Sequence, residues 1–199
     1  MLDTRSLEAS DTRPAIAICA YEIGETGWDP VEDLSGEAWN PTGARTLAID
    51  PAEPTALAVT LSEALTLPAC RGLLLVGRTR EGAGFRLQIR TENRSLDGTH
   101  RGNSDGPGVA RATAPVAEMI RELNEAGLKA GVSSETEDDV GSYLLYRVLA
   151  ALPEGMDTPA IGLLRAPVDE PDDRVQRAVK AAAQAMARHL APLPRPRAA

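Results

Sequence analysis

Residues 72–77 read Gly-Leu-Leu-Leu-Val-Gly, and the fold class turns on this run. Four consecutive apolar residues between two glycines leave no polar face, so the segment reads as a buried strand. Two other runs have the same character, Pro-Ala-Ile-Ala-Ile-Cys-Ala-Tyr at 14–21 and Ala-Ile-Gly-Leu-Leu at 160–164. Shorter strands fit 46–50 and 128–133. Residues 84–91 alternate, with Phe85, Leu87 and Ile89 on one side and Arg86, Gln88 and Arg90 on the other. Period-two alternation predicts a strand with one wet face.

Between the strands lie segments of helical period. Leu57, Leu61 and Leu65 mark a helix over 55–65, stopped by Pro68. Pro115 opens another, with Val116, Met119, Ile120 and Leu123 as its stripe and Gly127 as its stop. A third spans 140–152 with Val140, Tyr143, Leu144 and Val148 inward, and a fourth spans 173–190 with Val175, Val179, Met186 and Leu190 on one face. This alternation predicts an α/β fold, a three-layer α/β/α sandwich around a mostly parallel sheet. Two long segments lack periodicity and read as loops: 23–43, with Trp28 and Trp39 as anchors, and 92–115, rich in Gly, Asn, Asp and Ser. Residues 1–13 read as a flexible lead-in, 14–191 as one α/β domain and 192–199 as a Pro-rich disordered tail.

Composition narrows the function. The 199 residues carry a formal net charge of −8 and a pI near 4.9. Phosphate binding needs a basic face, so no nucleic-acid partner is expected. No apolar run approaches the ~20 residues that cross a bilayer. The first residues, Met-Leu-Asp-Thr-Arg-Ser-Leu-Glu, lack the apolar core of a secretory signal, so no membrane partner and a cytoplasmic location are expected. Cys19 and Cys70 offer neither a disulfide framework nor metal spacing, and no cofactor is expected. In α/β sheets, sites form at strand carboxyl ends and the helix N-termini that follow. Residues 19–24, 77–79, 133–145 and 165–167 should therefore converge.

Several motifs in these segments are specific. The chain reads APVAEMIRELNEAGLKAGVSS at 114–134, VGSYLLY at 140–146 and IGLLRAP at 161–167. Upstream it reads CAYEIG at 19–24 and WNPT at 39–42. Together these resemble the pyroglutamyl peptidase I family of cysteine peptidases, most clearly from 115 to 167. Val-Gly-Ser-Tyr-Leu matches the family's Ala-Gly-x-Tyr-Leu without a gap, while the acidic segment 134–139 is longer than the family's. The resemblance implies a pyroglutamyl peptidase I-like fold. It also implies a chemistry in which a Cys thiolate near a helix N-terminus attacks an amide carbonyl, a His acts as base and a carboxylate orients the His.

Carried over by position, that machinery is replaced. Leu145 stands at the nucleophile and Tyr146 at the Asn that follows it. Arg165 stands at the His and cannot serve as a base near neutral pH. The Glu position falls at or next to Phe85. The second aromatic of the family's Phe-Glu-Pro-Phe loop is met by Ile23 or Gly24. The implied pocket comprises Tyr21, Glu22, Ile23, Phe85, Asp139, Gly141, Ser142, Leu145 and Arg165.

Other groups could substitute, and each has a plainer reading. Ser142 lies one helical turn before Leu145; otherwise it satisfies backbone donors at a helix start. Cys19 ends the first strand; otherwise it is a small buried hydrophobe. His100 could fold over the site from its loop or be solvated there. His189 near the end of the last helix reads as a solvated residue facing the dipole. Cys70 sits in a loop before a strand. Glu135, Glu137, Asp138 and Asp139 suit a helix N-terminus, or with Glu22 a cation or amine site. Arg165 could pair with Asp139, or hold an anion with the helix N-terminus. Two functions follow. One is a catalytically silent binding or scaffold homologue. The other is an active hydrolase of pyroglutamyl or related amide substrates that uses replacement groups such as Ser142, Glu22, Cys19 or His100. Partners consistent with either are a peptide, a small anionic or amide ligand, and further copies of the chain.

Overall fold

A computed structural model describes residues 11–21, 39–96, 106–153 and 157–190. Its central sheet has six strands in the order β2-β1-β3-β8-β4-β7. β1 is Ala15–Ala20, β2 Arg45–Ala48, β3 Cys70–Thr79, β4 Phe85–Gln88, β7 Ala130–Ser133 and β8 Ala160–Pro167. The run at 72–77 lies in β3, between β1 and β8 and parallel to both. Its Leu73, Leu74 and Leu75 are fully buried, which is why the sequence there has no polar alternation.

Helices cover both faces. α1 (Pro54–Thr66) and α3 (Val140–Ala150) share an apolar cluster in which Leu57, Leu61, Leu144 and Val148 meet Ala17, Leu73 and Leu163. α2 (Val116–Glu125) and α4 (Asp172–His189) share the other, where Met119, Leu123, Val175 and Val179 meet Ile16, Leu74 and Leu164. Each helix starts for a local reason. Glu53 accepts the Thr55 and Ala56 N–H groups of α1, with Pro54 at the first position. Asp139 caps α3 by accepting the Ser142 N–H at 2.9 Å. α2 stops at Gly127, whose φ of 75° suits glycine.

The structure departs from the sequence reading in five places. The alternating segment at 84–91 breaks at Ile89 into β4 and a separate strand β5, Arg90–Glu92. Gln88, read as solvent-facing, is 1% exposed, because α3 covers the face it points to. The segment 92–115 is not all loop: β5 pairs antiparallel with β6, Val109–Arg111. Cys70 is the buried first residue of β3 rather than part of a loop. In α3, Val140 and Tyr143 are half-buried while Leu145 and Tyr146 are buried: Leu145 packs into the apolar cluster of α1, β3 and β8, and the segment leading into β6 covers Tyr146, whose hydroxyl donates to Pro107 O. β4 runs antiparallel to β8, and β7 runs with β4. The acids at 135–139 therefore reach the carboxyl ends of β3 and β8 by turning back after β7. Trp28, His100, the first ten residues and the Pro-rich tail lie outside the described residues. No helix among the described residues is long and apolar enough to cross a membrane.

Candidate functional site

The site is built around Arg165 in β8. Its side chain is 0% exposed, yet all three guanidinium nitrogens are engaged. Nη1 and Nη2 donate to the two Asp139 carboxylate oxygens at 2.6 and 2.8 Å. Nε donates to Gln88 Oε1 at 2.9 Å, and Nη2 also donates to Ser142 Oγ at 2.9 Å. Glu137 lies 3.4 Å from Nε. A two-point carboxylate bond and neutral acceptors on the remaining N–H groups are what a buried guanidinium needs.

The electrostatics follow from this geometry. Burial by itself pushes the Asp139 carboxyl up, but hydrogen bonds and charge from Arg165, with the Ser142 N–H and hydroxyl, hold it below the ordinary carboxylate range. Burial disfavours the Arg165 cation, and the Asp139 bond, the Tyr21 oxygen and the Asp139 and Glu137 charges more than compensate, so its pKa is raised. Both partners are ionised at neutral pH.

Tyr21, next after β1, is 9% exposed and sits against two glycines. A Cβ at Gly77 or at Gly141 would overlap the Tyr21 hydroxyl. Both positions therefore need glycine so that the ring can lie between β3 and the start of α3. Thr79 closes the end of β3: its hydroxyl donates to Glu137 at 2.9–3.0 Å and accepts the Glu81 N–H at 3.0 Å. The β5–β6 ribbon is pinned over α3. Thr91 Oγ1 donates to Ser142 O at 2.8 Å, Tyr146 Oη donates to Pro107 O at 2.8 Å, and Arg94 bonds Asp138.

Of the sequence-derived pocket, Tyr21, Asp139, Gly141, Ser142 and Arg165 meet here, and Leu145 is fully buried in the apolar cluster beneath. Glu22 and Ile23 lie outside the described residues. Phe85 does not join the pocket. It packs in the α2–α4 layer, on the face of the sheet opposite Leu145. The β4 residue that meets Arg165 is Gln88, three positions on and on the other face. Sequence reading missed Gln88, which it put on a solvent-facing side; it placed 77–79 and Glu137 among the converging segments without assigning Thr79 or Glu137 the bracing role seen here.

The chemistry available is limited. Ser142 Oγ contacts Gln88 and Arg165, neither of which can accept its proton as a base, and the Asp139 carboxylate that its hydroxyl also meets is bonded at both oxygens to Arg165 and held below the ordinary carboxylate range, which makes it a poor proton acceptor. Thr79 does face a carboxylate, but it is 3% exposed and its oxygen already accepts a backbone N–H. Cys19 is fully buried, and burial together with the Asp50 charge pushes its thiol up to about 12; Cys70 is also buried, with its pKa raised by that burial. Neither is set up as a thiolate nucleophile. His189 is exposed at the far end of α4, whose first residue Asp172 is held by Arg78. His189 is the last of the 18 residues of α4, roughly 25 Å from that end. Among the described residues no three His, Cys, Asp or Glu side chains are placed to hold a metal ion. Glu137, Asp138 and Asp139 are bound to Thr79, Arg94 and Arg165, which leaves little for a cation or an anion to take up. Open space remains beside the network: a cleft of about 730 Å³ bounded by Thr79, Glu81, Glu135, Glu137 and Val168, and one of about 400 Å³ bounded by Leu96, Val140 and Tyr143.

No family model matches the chain, and no curated protein matches it. Solved structures do. Pyroglutamyl peptidase I from Bacillus amyloliquefaciens aligns with a TM-score of 0.71 at 17% identity, over 88% of this chain and 95% of that one. Pyrrolidone carboxyl peptidase from Thermus thermophilus aligns at 0.65 and 20% identity, over 85% and 98%. The enzyme from Thermococcus litoralis aligns at 0.68 and 14%, over 87% and 93%. The chain has the fold of these peptidases.

Proposed function

We propose that this chain is a catalytically silent homologue of the pyroglutamyl peptidases, a binding or scaffold protein that keeps their fold. One observation carries the reading: Arg165, at the position where the resemblance implies the catalytic His, is wholly buried and bonded to Asp139, Gln88 and Ser142. A guanidinium held in this way stays charged and takes no proton from a nucleophile. Leu145 supports it from the other side, since a buried leucine at the nucleophile position forms no acyl-enzyme. Phe85 packs into the opposite core layer and brings no carboxylate. The carboxylates of the network itself, Glu137, Asp138 and Asp139, are already bound to Thr79, Arg94 and Arg165, which favours a neutral peptide or amide over an ion at that edge of the space.

The test is hydrolysis of a pyroglutamyl-linked fluorogenic amide by the purified full chain, with folding confirmed by circular dichroism. The expected result is no turnover above buffer. Wild-type turnover abolished by thiol alkylation would overturn the proposal in favour of Cys19 or Cys70. Turnover abolished by Ser142→Ala would overturn it in favour of a serine mechanism.

A further inference from the structure

The β5–β6 ribbon sets like charges against each other. Its register places Arg90 opposite Arg111 and Glu92 opposite Val109. The Asn93 N–H donates to Gly108 O and the Ala112 N–H to Ile89 O. Asn93–Gly108 and Ile89–Ala112 are therefore hydrogen-bonded pairs, and Arg90–Arg111, one step along, is a non-hydrogen-bonded pair. In such a pair the Cα atoms stand ~4.5 Å apart and the side chains are at their closest. Thr91 turns to α3, where it bonds Ser142 O, so alternation puts Arg90, Glu92, Val109 and Arg111 on the opposite face. Two guanidinium groups directly across from each other are destabilising, and the chain supplies little to offset them. Glu92 is shared between Arg90 and Arg94. Arg111 is exposed and forms no ion pair among the described residues. In a chain of net charge −8, this face is a local basic surface.

The same register leaves one edge open. Gly108, Ala110 and Ala112 face β5, so Val109 and Arg111 turn their N–H and C=O groups away from it. Those groups have no partner among the described residues, and residues 106–109 and Arg111 are exposed. The other edge of the ribbon is partly taken, because Arg90 O accepts Gln88 Nε2 at 2.9 Å. An unpaired edge is a template for an added strand. We propose that the β6 edge takes up an extended acidic segment of a partner protein, with a carboxylate of that segment set against Arg111 and Arg90. The charges select this occupant, since a carboxylate matches the planar guanidinium fork. An added strand presents every second side chain to this face. Two positions from the acid opposite Arg111 stands the residue opposite Val109, which is 46% exposed and suits an apolar contact. The recognised pattern is thus an acid and an apolar residue two apart. This face is turned away from the Arg165 network, so binding here does not depend on whether the chain hydrolyses an amide.

Fluorescence anisotropy of a fluorescein-labelled peptide, Thr-Glu-Thr-Val-Thr-Glu, titrated with the full chain tests this. Saturable binding that weakens as sodium chloride is raised is expected. Arg111→Glu should raise the dissociation constant about tenfold or more, because it sets like charges against the acid. Its circular dichroism spectrum should be unchanged, since the substitution replaces a repulsion with Arg90 by an attraction. Arg111→Ala should weaken binding by less, and Arg121→Glu on α2 should have no effect. Glu-Val-Thr-Thr-Thr-Glu has the same composition without the two-residue spacing, and it should bind about fivefold more weakly. Absence of binding overturns the proposal and leaves the edge to a segment of the same chain. Equal binding of the two peptides, or binding that Arg111→Glu leaves intact, overturns it as well. Displacement of the peptide by inorganic phosphate, where chloride of matched ionic strength does not displace it, overturns it in favour of a small-oxyanion site.

Discussion

Leu145 and Arg165 are both fully buried, and the resemblance places them at the two reacting positions of one site, yet they are held by opposite means. Leu145 joins an apolar cluster whose other members come from α1, α3, β1, β3 and β8 and from Tyr21. Arg165, two residues from the end of β8, stands in a cage of hydrogen bonds supplied by β4 and by the start of α3. A buried position can thus be held by packing or by ionic capture, and the two differ in how they respond to substitution. Packing tolerates a smaller side chain at the cost of a cavity. An ionic cage does not tolerate the loss of its cation, because the half-buried carboxylates left behind lose their counter-charge.

This difference sets the sizes of two substitutions. Arg165→Met should destabilise the chain by about 3–5 kcal/mol, the usual result of removing one partner of a buried pair. Urea denaturation at neutral pH measures it. Adding Asp139→Leu should recover only part of the loss: it removes the main orphan charge, but it also removes the α3 cap and leaves Glu137 without its counter-charge. Leu145→Cys should cost less, about 1.5–3 kcal/mol for the apolar atoms removed and the space they leave. If Leu145→Cys proves the more damaging, the contrast between packing and capture fails.

Much of this was legible in the sequence. The strands β1, β3 and β8 were legible because burial on both faces writes itself as an unbroken apolar run. All four helices were legible from their stripes. A pairing of Arg165 with Asp139 was among the readings open at the outset, and the structure makes that pair. What failed to show were features set by what lies across a face. Gln88 alternates correctly with Phe85 and Leu87, but alternation says only that it faces away from them. It cannot say that α3 covers that face. The same limit put Phe85 into the pocket: spacing from a family motif gives a position, and the pleat sends the side chain to the other side of the sheet. The β5–β6 ribbon escaped notice because its three-residue strands, Arg-Thr-Glu and Val-Ala-Arg, bury no apolar face. They are held instead by the Thr91, Tyr146 and Arg94 side chains.

The smallest expected effect probes the cage alone. Asp139 is held below the ordinary carboxylate range in the folded chain, whereas in the unfolded chain its pKa returns to about 3.9. Above that value both states are ionised, and the pair contributes its full stability. As the pH falls below about 4, the unfolded state takes up a proton that the folded state resists, so stability declines until the folded-state pKa is passed. Glu53 and Glu92 are also depressed, by the α1 backbone amides and by Arg94 respectively, so the wild-type curve alone mixes several groups. The informative quantity is the difference between wild type and Asp139→Asn, measured by urea denaturation from pH 7 to 3. That difference should be constant above about pH 5 and should shrink below pH 4, because the variant has no proton to take up at this position. Parallel curves down to pH 3 would mean that Asp139 is not held by Arg165, and the captured half of the comparison would lose its basis.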